Sequence, residues 1–282
     1  MKNIRLLLSI LILTFSCKEE ADLSSLVEGL GGDKLNKLPI DTWLFENFTK
    51  PFNIEVKYRW DPFEVPLDKT LVPPLLSRVQ PTMEAVKKIW IDPYVKVAGE
   101  DFVKRFCPKQ YILVGSANWN IDGTITLGTA EGGRKVVLYQ LNDFDKRNVP
   151  VVKEMMHTIH HEFAHILHQN VLYPVSYRQI TPGSYTSNWY NISEEEALNL
   201  GYVTSYAMLN PDEDFVEMIA TLLVDGQALF NERLATLNNN PEARAALLKK
   251  QQLVIDYFQK TYNINFKTLQ SITQAEIANF TK

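Results

Sequence analysis

Residues around position 160 combine a helical pattern with a dense run of histidines. His161, Glu162 and His165 form the pattern H-E-x-x-H. Residues four apart on a helix project from one face about one turn apart, so the two imidazoles can share one zinc ion at about 2.0–2.1 Å. Glu162 lies beside that face, where it can take a proton from a water that zinc has acidified. The pattern therefore predicts a zinc site with its own general base.

The flanks of this motif favour a buried amphipathic helix over residues 151–170. Apolar residues recur there at helical spacing, and they are Val152, Met155, Met156, Ile159, Phe163, Ile166 and Leu167. Pro150 suits the first turn of such a helix, and Pro174 follows soon after its end. The alternative is a core helix that merely contains histidines. It is disfavoured because imidazoles and a carboxylate are costly to bury unless something pairs them.

All of the histidines lie on this one predicted helix. There are five, and they are His157, His160, His161, His165 and His168. His168 follows His161 by seven residues, which is about 10.5 Å along a helix axis and too far for both to bind one ion. We therefore expect the third ligand to be a carboxylate from elsewhere in the chain. His157, His160 and His168 are expected to have structural or supporting roles.

A second predicted helix begins near residue 211 and offers the missing carboxylate. Asn210 suits the N-cap and Pro211 the first helical position. Glu213 and Glu217 are four residues apart on one face, so one can bind zinc while the other accepts a ring N–H from a zinc histidine. We predict that Glu213 is the ligand and Glu217 the orienting acid. The reverse assignment, Asp214 as ligand, and acids that merely complement the helix dipole remain open.

Tyr206 stands on the segment that leads into this second helix. Amide hydrolysis needs a hydrogen-bond donor opposite Glu162, because the carbonyl oxygen becomes an oxyanion when water adds. We predict that Tyr206 is this donor, with Tyr202 as the second choice. The aromatic segment 171–193 follows the metal helix and is a candidate substrate-facing loop, with surface packing as the alternative.

Residues 110–142 change to the two-residue period of β-strands. Strands are predicted over 111–114, 124–127 and 135–141, with turns at Asp122-Gly123 and Gly132-Gly133. This order predicts an antiparallel meander that leads directly into the metal helix.

The remaining pattern places helices after the metal site. Residues 218–230 and 241–262, and a last stretch near Gln274, are predicted to be helical and to form a mainly helical C-terminal lobe. The predicted fold class is therefore α+β.

Residues 128–131 are a candidate rim of the cleft, at which an extended peptide could add as a further strand.

The N-terminus has the pattern of a targeting signal. Lys2 and Arg5 precede an apolar stretch over residues 6–15 that is too short to span a bilayer. Residues 1–17 resemble a bacterial lipoprotein signal in which Cys17 is lipidated, with an ordinary secretory signal or a buried helix as alternatives. Lys18-Glu19-Glu20 resembles a short tag that sends lipoproteins to the cell exterior, so we expect an outer-membrane lipoprotein exposed at the cell surface.

The remaining organisation is simple. Residues 18–39 have the composition of a tether, and 40–282 are expected to form the folded domain. Cys107 is the one cysteine besides Cys17, so no disulfide is expected once Cys17 is lipidated. A net charge of −4 without a basic run indicates that the chain does not bind nucleic acid.

Four segments together carry a resemblance to a known family. They are GS at 115–116, DGTITLGTAEGG at 122–133, HEFAHILHQ at 161–169 and EDFVE at 213–217. They resemble the putative zinc-binding metallopeptidase family of bacterial surface lipoproteins, over about residue 50 to the C-terminus. Members of that family are typically encoded beside outer-membrane nutrient-uptake pairs. Glu213-x-Phe215 is also similar to the third-ligand helix of lethal-factor-type gluzincins.

The resemblance implies a gluzincin-like, zincin-fold peptidase that uses Zn²⁺ and acts on extracellular or periplasmic proteins, with an uptake complex as a possible partner. Two other functions remain open at this point. One is a zinc amidase or deacetylase that acts on non-peptide amides. The other is a catalytically idle partner of an uptake complex, in which His157 or His168 would take the fourth zinc position.

Overall fold

A four-stranded sheet packs on the histidine-bearing helix in the computed structural model, which describes residues 36–131 and 134–282. The strand order is β1-β2-β6-β5. Two further strands, β3 and β4, form a separate antiparallel pair. The strands are β1 (Glu55–Lys57), β2 (Gln110–Leu113), β3 (Asn118–Trp119), β4 (Ile125–Thr126), β5 (Gly128–Glu131) and β6 (Lys135–Leu138).

The sheet is mixed, so the predicted antiparallel meander is wrong. β1 pairs with β2, and β2 pairs with β6, in parallel; only β5 and β6 run antiparallel. The Asp122-Gly123 turn does form, and it joins β3 to β4 as a hairpin beside the main sheet. The chain therefore reverses once in that hairpin and a second time between β5 and β6. After two reversals, β6 runs in the same direction as β2. The turn predicted at Gly132-Gly133 lies outside the described residues.

Helices make up most of the rest of the described chain. The α-helices are α1 (Pro39–Leu44), α2 (Lys50–Phe52), α3 (Leu76–Ala85), α4 (Asp92–Ala98), α5 (Glu100–Phe106), α6 (Val149–Asn170), α7 (Val175–Arg178), α8 (Glu194–Asn199), α9 (Pro211–Val224), α10 (Gly226–Thr236), α11 (Pro241–Tyr262) and α12 (Phe266–Phe280). Single π-helical segments, Phe45–Thr49 and Val86–Ile91, continue α1 and α3. Within the described ranges, none of these helices combines the length and apolar character needed to cross a membrane.

Helix α6 is largely buried within the hydrophobic core. Asn148 caps it, and its apolar residues are buried as the periodicity predicts. Trp90 and Tyr94, from the helical segment between β1 and β2, meet the ring of Phe163 edge-on, with ring centroids 5.1 and 4.9 Å apart. Such edge-to-face pairs add to the apolar area they bury. They fix α6 against the first half of the chain.

Helix α9 packs along α6 and is held by the C-terminal helices. The side-chain oxygen of Asn210 accepts hydrogen bonds from the backbone N–H groups of Asp212 and Glu213, at 2.9 and 3.0 Å. At the other end of α9, the side-chain amides of Gln270 and Gln274 donate to the Leu222 and Leu223 carbonyls, at 2.6 and 2.7 Å. These contacts satisfy backbone groups that every helix end leaves unpaired. Both ends of α9 are therefore fixed in place.

A buried ion pair joins α9 to α11. Lys250 Nζ lies 2.7 Å from Asp214 Oδ2, and neither side chain is exposed. Lys250 also donates to the Gly201 carbonyl at 2.8 Å and lies 4.0 Å from the centroid of the Tyr202 ring. Tyr185 donates its hydroxyl to Asp214 at 3.0 Å. Because both charges have several partners, the pair ties the segment before α9 to the two helices.

Candidate metal centre

Three ligand atoms converge between α6 and α9. His161 Nε2 and His165 Nε2 lie 3.2 Å apart, and Glu213 Oε2 lies 3.1 Å from the first and 3.2 Å from the second. A tetrahedral zinc ion with bonds of about 2.0–2.1 Å separates its ligand atoms by roughly 3.3 Å. Two imidazole nitrogens and one carboxylate oxygen are also a donor set that zinc accepts. The three residues therefore fit zinc in both geometry and chemistry.

The local structure explains why these three atoms meet. His161 and His165 project from one face of α6, one turn apart, as the motif predicts. Glu213 lies in the first turn of α9, and the Asn210 cap fixes the direction of that turn. Asp214, the third candidate ligand, points away from this face and forms the buried pair with Lys250.

Glu217 supports the site from one turn further along α9. Its Oε1 lies 2.7 Å from His161 Nδ1 and 2.8 Å from His157 Nε2, and its Oε2 accepts a hydrogen bond from the Thr204 hydroxyl at 2.7 Å. Burial opposes the charge on Glu217, but the two histidines hold its pKa well below the ordinary value. A carboxylate at Nδ1 keeps the proton on that nitrogen and leaves Nε2 as the ligand atom.

His165 has a corresponding partner on its own helix. His165 Nδ1 lies 3.0 Å from Nε2 of His168. Burial lowers the pKa of His168 to about 4, so the ring is neutral and can accept the Nδ1–H of His165. His160 is fully buried beside Tyr94, and burial lowers its pKa to about 3. The other three histidines thus have partners away from the three converging ligand atoms. These partners are Glu217 for His157, Tyr94 for His160 and His165 Nδ1 for His168.

A cavity of about 310 Å³ borders His161 on the side of the sheet. Its lining includes Gly128, Thr158, His161, Glu162, Trp189 and Tyr206. A second cavity, of about 560 Å³, borders His165 and Glu213 from the side of Arg178 and Asn210. Each of the two ligand histidines therefore borders a cavity.

Tyr206 lies beside the ligand His161. Its ring centroid is 5.8 Å from that of His161 and 4.8 Å from that of Trp189, which meets it edge-on. Burial, with Glu213, Glu217 and Glu162 nearby, raises the pKa of Tyr206 far above its ordinary value. Its hydroxyl therefore stays a hydrogen-bond donor. Tyr202, the second choice, instead donates to the Thr181 carbonyl at 2.5 Å beside Lys250.

The candidate substrate-facing segment divides between the cavity and the core. Trp189 lines the cavity, whereas Tyr177 is fully buried and Tyr173 stacks on Phe215 with centroids 4.2 Å apart. The sequence placed Trp189 in the candidate substrate-facing segment 171–193 without singling it out, and it did not mark Thr204 as a partner of Glu217. The contact between His157 and Glu217 could have been predicted, because His157 lies one turn before His161 on the same helix face.

Strand β5 passes directly over α6 at the cavity. Among the described residues it pairs with β6 alone and therefore lies at the edge of the sheet. A Cβ atom on Gly128 would lie 2.5 Å from Thr158 Cγ2, so only glycine permits this close approach. Gly128, the first residue of the sequence-predicted rim 128–131, thus lines the same cavity as Glu162 and His161.

Comparisons with known proteins agree with this geometry. The model of a family described as "Putative zinc-binding metallo-peptidase" matches residues 33–267. A crystal structure of a putative zinc-binding metallo-peptidase from Bacteroides caccae ATCC 43185 is 36% identical, with a TM-score of 0.73. The match covers 86% of this chain and 92% of that one. No curated protein matches the chain.

The two glutamates of α9 are expected to differ in their effect on zinc content. Glu213→Ala removes one of three ligand atoms, so the purified protein should lose its zinc. Glu217→Ala should keep zinc but weaken its binding by about 10–100-fold, because His161 loses the group that orients it. Asp212→Asn, a half-exposed acid in the same turn as Glu213, is the control and should bind zinc normally. Elemental analysis and titration against a chelator measure these effects; equal zinc loss from both glutamate variants would contradict the assignment.

Zinc binding is expected to release a proton from His161. Burial opposes the charge on this ring, but Glu213 and Glu217 raise its pKa from 6.5 to about 10 in the metal-free protein. This raised pKa stabilises the metal-free fold fully below pH 6.5, and the contribution is lost as the pH rises through about 10. Zinc affinity should therefore increase about tenfold per pH unit over roughly pH 7–9.

Calorimetric titrations with zinc in buffers of different ionisation enthalpy measure this proton. About one proton per zinc should appear near pH 8. Binding without proton release would show that His161 is already neutral in the metal-free protein.

Proposed function

Because the chain belongs to the family of putative zinc-binding metallo-peptidases, we propose that it is a zinc-dependent peptidase that hydrolyses peptide bonds of extracellular or periplasmic proteins. One observation carries the proposal. His161, His165 and Glu213 converge in zinc geometry beside a cavity that also contains Glu162. A ligand set, a carboxylate and room for substrate are the parts that metal-assisted amide hydrolysis needs.

Zinc held by these ligands supplies Lewis-acid polarisation of the substrate carbonyl and lowers the pKa of a water molecule. Glu162 then acts as the general base. It lines the cavity next to the ligand His161, where it can take a proton from the attacking water and return it to the leaving amine. Its position on the rigid helix α6 fixes the direction of this proton transfer.

Tyr206 is proposed to stabilise the oxyanion. Its ring lies over His161 and lines the same cavity as Glu162. Its raised pKa keeps the hydroxyl protonated, so it can donate a hydrogen bond to the carbonyl oxygen as negative charge develops. Trp189 packs against its ring and limits its movement.

An extended peptide is the proposed substrate, bound along β5. The edge position of β5 leaves it able to pair with an added strand, and Gly128 brings it close to α6. One cavity borders His161 and another borders His165 and Glu213, which gives an extended chain more room than a small amide needs. This arrangement favours an endopeptidase over an amidase or deacetylase that takes small amides.

The same contacts argue against a purely structural zinc site. A closed site needs a fourth protein ligand. The rings of His157 and His168, the two candidates, contact Glu217 and His165 instead.

The location of the protein is a separate proposal that rests on the sequence pattern of the N-terminus. Residues 1–17 are proposed to be a lipoprotein signal, with lipid on Cys17 and a tether up to residue 39. The protein would then be an outer-membrane lipoprotein at the cell surface, where it could act beside a nutrient-uptake complex. The signal and residues 18–35 lie outside the described residues.

Glu162→Gln tests the proposed function. The variant should lose about 10²–10⁴-fold in the rate of peptide hydrolysis, because the general base is removed, and should keep its zinc. Digestion of a diverse peptide library, with zinc content measured in the same samples, provides the data. Glu154→Gln, an exposed acid on the same helix, is the control and should retain activity.

Chelation should abolish hydrolysis by the wild-type protein, and added zinc should restore it. A zinc-loaded wild-type protein that cleaves no peptide of the library would contradict the proposal. Loss of zinc from Glu162→Gln would instead identify Glu162 as a ligand.

A further inference from the structure

A single hydroxyl lies between the metal site and the segment that carries Tyr206. The Thr204 hydroxyl donates to Glu217 Oε2 at 2.7 Å. The oxygen of that hydroxyl also accepts a hydrogen bond from the backbone N–H of Ala207 at 3.1 Å. Glu217 contacts the ligand His161 through its other oxygen. Ala207 belongs to the short 3₁₀ turn Tyr206–Met208. One side chain therefore bridges the carboxylate behind a metal ligand and the turn that presents the tyrosine.

The opposite side of this turn is fixed to other parts of the chain. The Ser205 hydroxyl donates to the Glu194 carboxylate at 2.7 Å, and the Ser205 backbone N–H donates to it at 3.1 Å. The Met208 carbonyl accepts the N–H of Thr186 at 2.8 Å. These contacts hold the turn to α8 and to the segment of Trp189. Thr204 provides the connection in the other direction, toward the metal ligands.

We propose that Thr204 is a positioning residue that sets Tyr206 relative to the metal ligand His161. Thr204 is not part of the cavity lining, so it acts through Glu217 and Ala207. Valine at this position would keep the shape of the side chain. It would leave a buried carboxylate oxygen and a backbone N–H without their shared partner. The turn would then lose its connection to Glu217, and the tyrosine hydroxyl would lose its fixed distance from the ligands.

This inference rests on the proposed peptidase function for its kinetic readout. With saturating zinc, Thr204→Val should lower kcat about tenfold and change KM by less than about twofold, since only the transition-state donor is displaced. Thr204→Ser keeps the hydroxyl and should retain kcat within about twofold. A general packing defect would not lower kcat alone while KM stays nearly constant. It would also not be repaired by serine in particular.

Thr221→Val is the matched control. Thr221 is buried on α9, one turn beyond Glu217, and within the described part of the chain its hydroxyl has no hydrogen-bond partner. The same threonine-to-valine substitution at position 221 should leave kcat and KM at their wild-type values.

A double-mutant cycle with Tyr206→Phe tests whether Thr204 acts through the tyrosine. Once the tyrosine hydroxyl is removed, its position no longer matters, so Thr204→Val should lower kcat by less than about twofold in the Tyr206→Phe background. An equal loss in both backgrounds would overturn the inference, as would a wild-type kcat for Thr204→Val.

Hydrogen exchange gives a readout that does not depend on activity. The Ala207 amide, which donates to Thr204 in the wild type, should exchange faster in Thr204→Val and at the wild-type rate in Thr204→Ser. Unchanged exchange at Ala207 would overturn the inference even if the protein is an active peptidase. A zinc-loaded wild-type protein without hydrolytic activity would instead contradict the proposed function, and the exchange data would then decide the inference alone.

Discussion

Three basic atoms that lie within 3.2 Å of one another in a buried site need a metal ion or shared protons among them. The Nε2 atoms of His161 and His165 and the Oε2 atom of Glu213 have this arrangement. The repulsion between their lone pairs must be balanced by a metal ion or by protons. The surrounding structure holds the three groups together against that repulsion. Helices α6 and α9 are fixed by their caps, by the aromatic contacts of Phe163 and by the C-terminal helices.

The first turn of α9 shows how successive residues of one helix serve different surroundings. Asp212 meets Arg178 at the surface, Glu213 faces the ligand histidines, and Asp214 points into the core toward Lys250. Successive side chains on a helix are about 100° apart, so three adjacent acids necessarily point in three directions. Glu217 returns to the face of Glu213 one turn later and supports His161 from behind. The four acids therefore have four roles: Glu213 is the candidate ligand, Glu217 orients His161, Asp214 anchors the helix to Lys250, and Asp212 lies at the surface.

Much of the site could be predicted from the sequence because its parts are local. The spacing of His161 and His165 fixes their relation on any helix, and Asn210-Pro211 marks where the ligand helix starts. Helix α6 begins two residues before the predicted start, at Val149, and ends at the predicted residue, Asn170. The hairpin at Asp122-Gly123 formed for the same reason, since its turn depends on adjacent residues.

The parts that depend on distant pairing could not be predicted in this way. A two-residue period shows that a segment is a strand but not which strand it joins, so the parallel pairing of β2 with β6 was missed. Thr204 acquires its role only where separate segments meet, and no local pattern marks such a residue. Tyr202 and Tyr206 are alike in sequence context, yet one packs beside Lys250 and the other over His161.

The most direct test of the central claim is a crystal structure of the zinc-loaded protein with anomalous scattering recorded at the zinc edge. One zinc ion should lie about 2.0–2.1 Å from His161 Nε2, His165 Nε2 and a Glu213 carboxylate oxygen, with its fourth position facing the cavity of Glu162 and Tyr206. A zinc ion bound by Glu217 in place of Glu213, or a fourth protein ligand that closes the site, would contradict it.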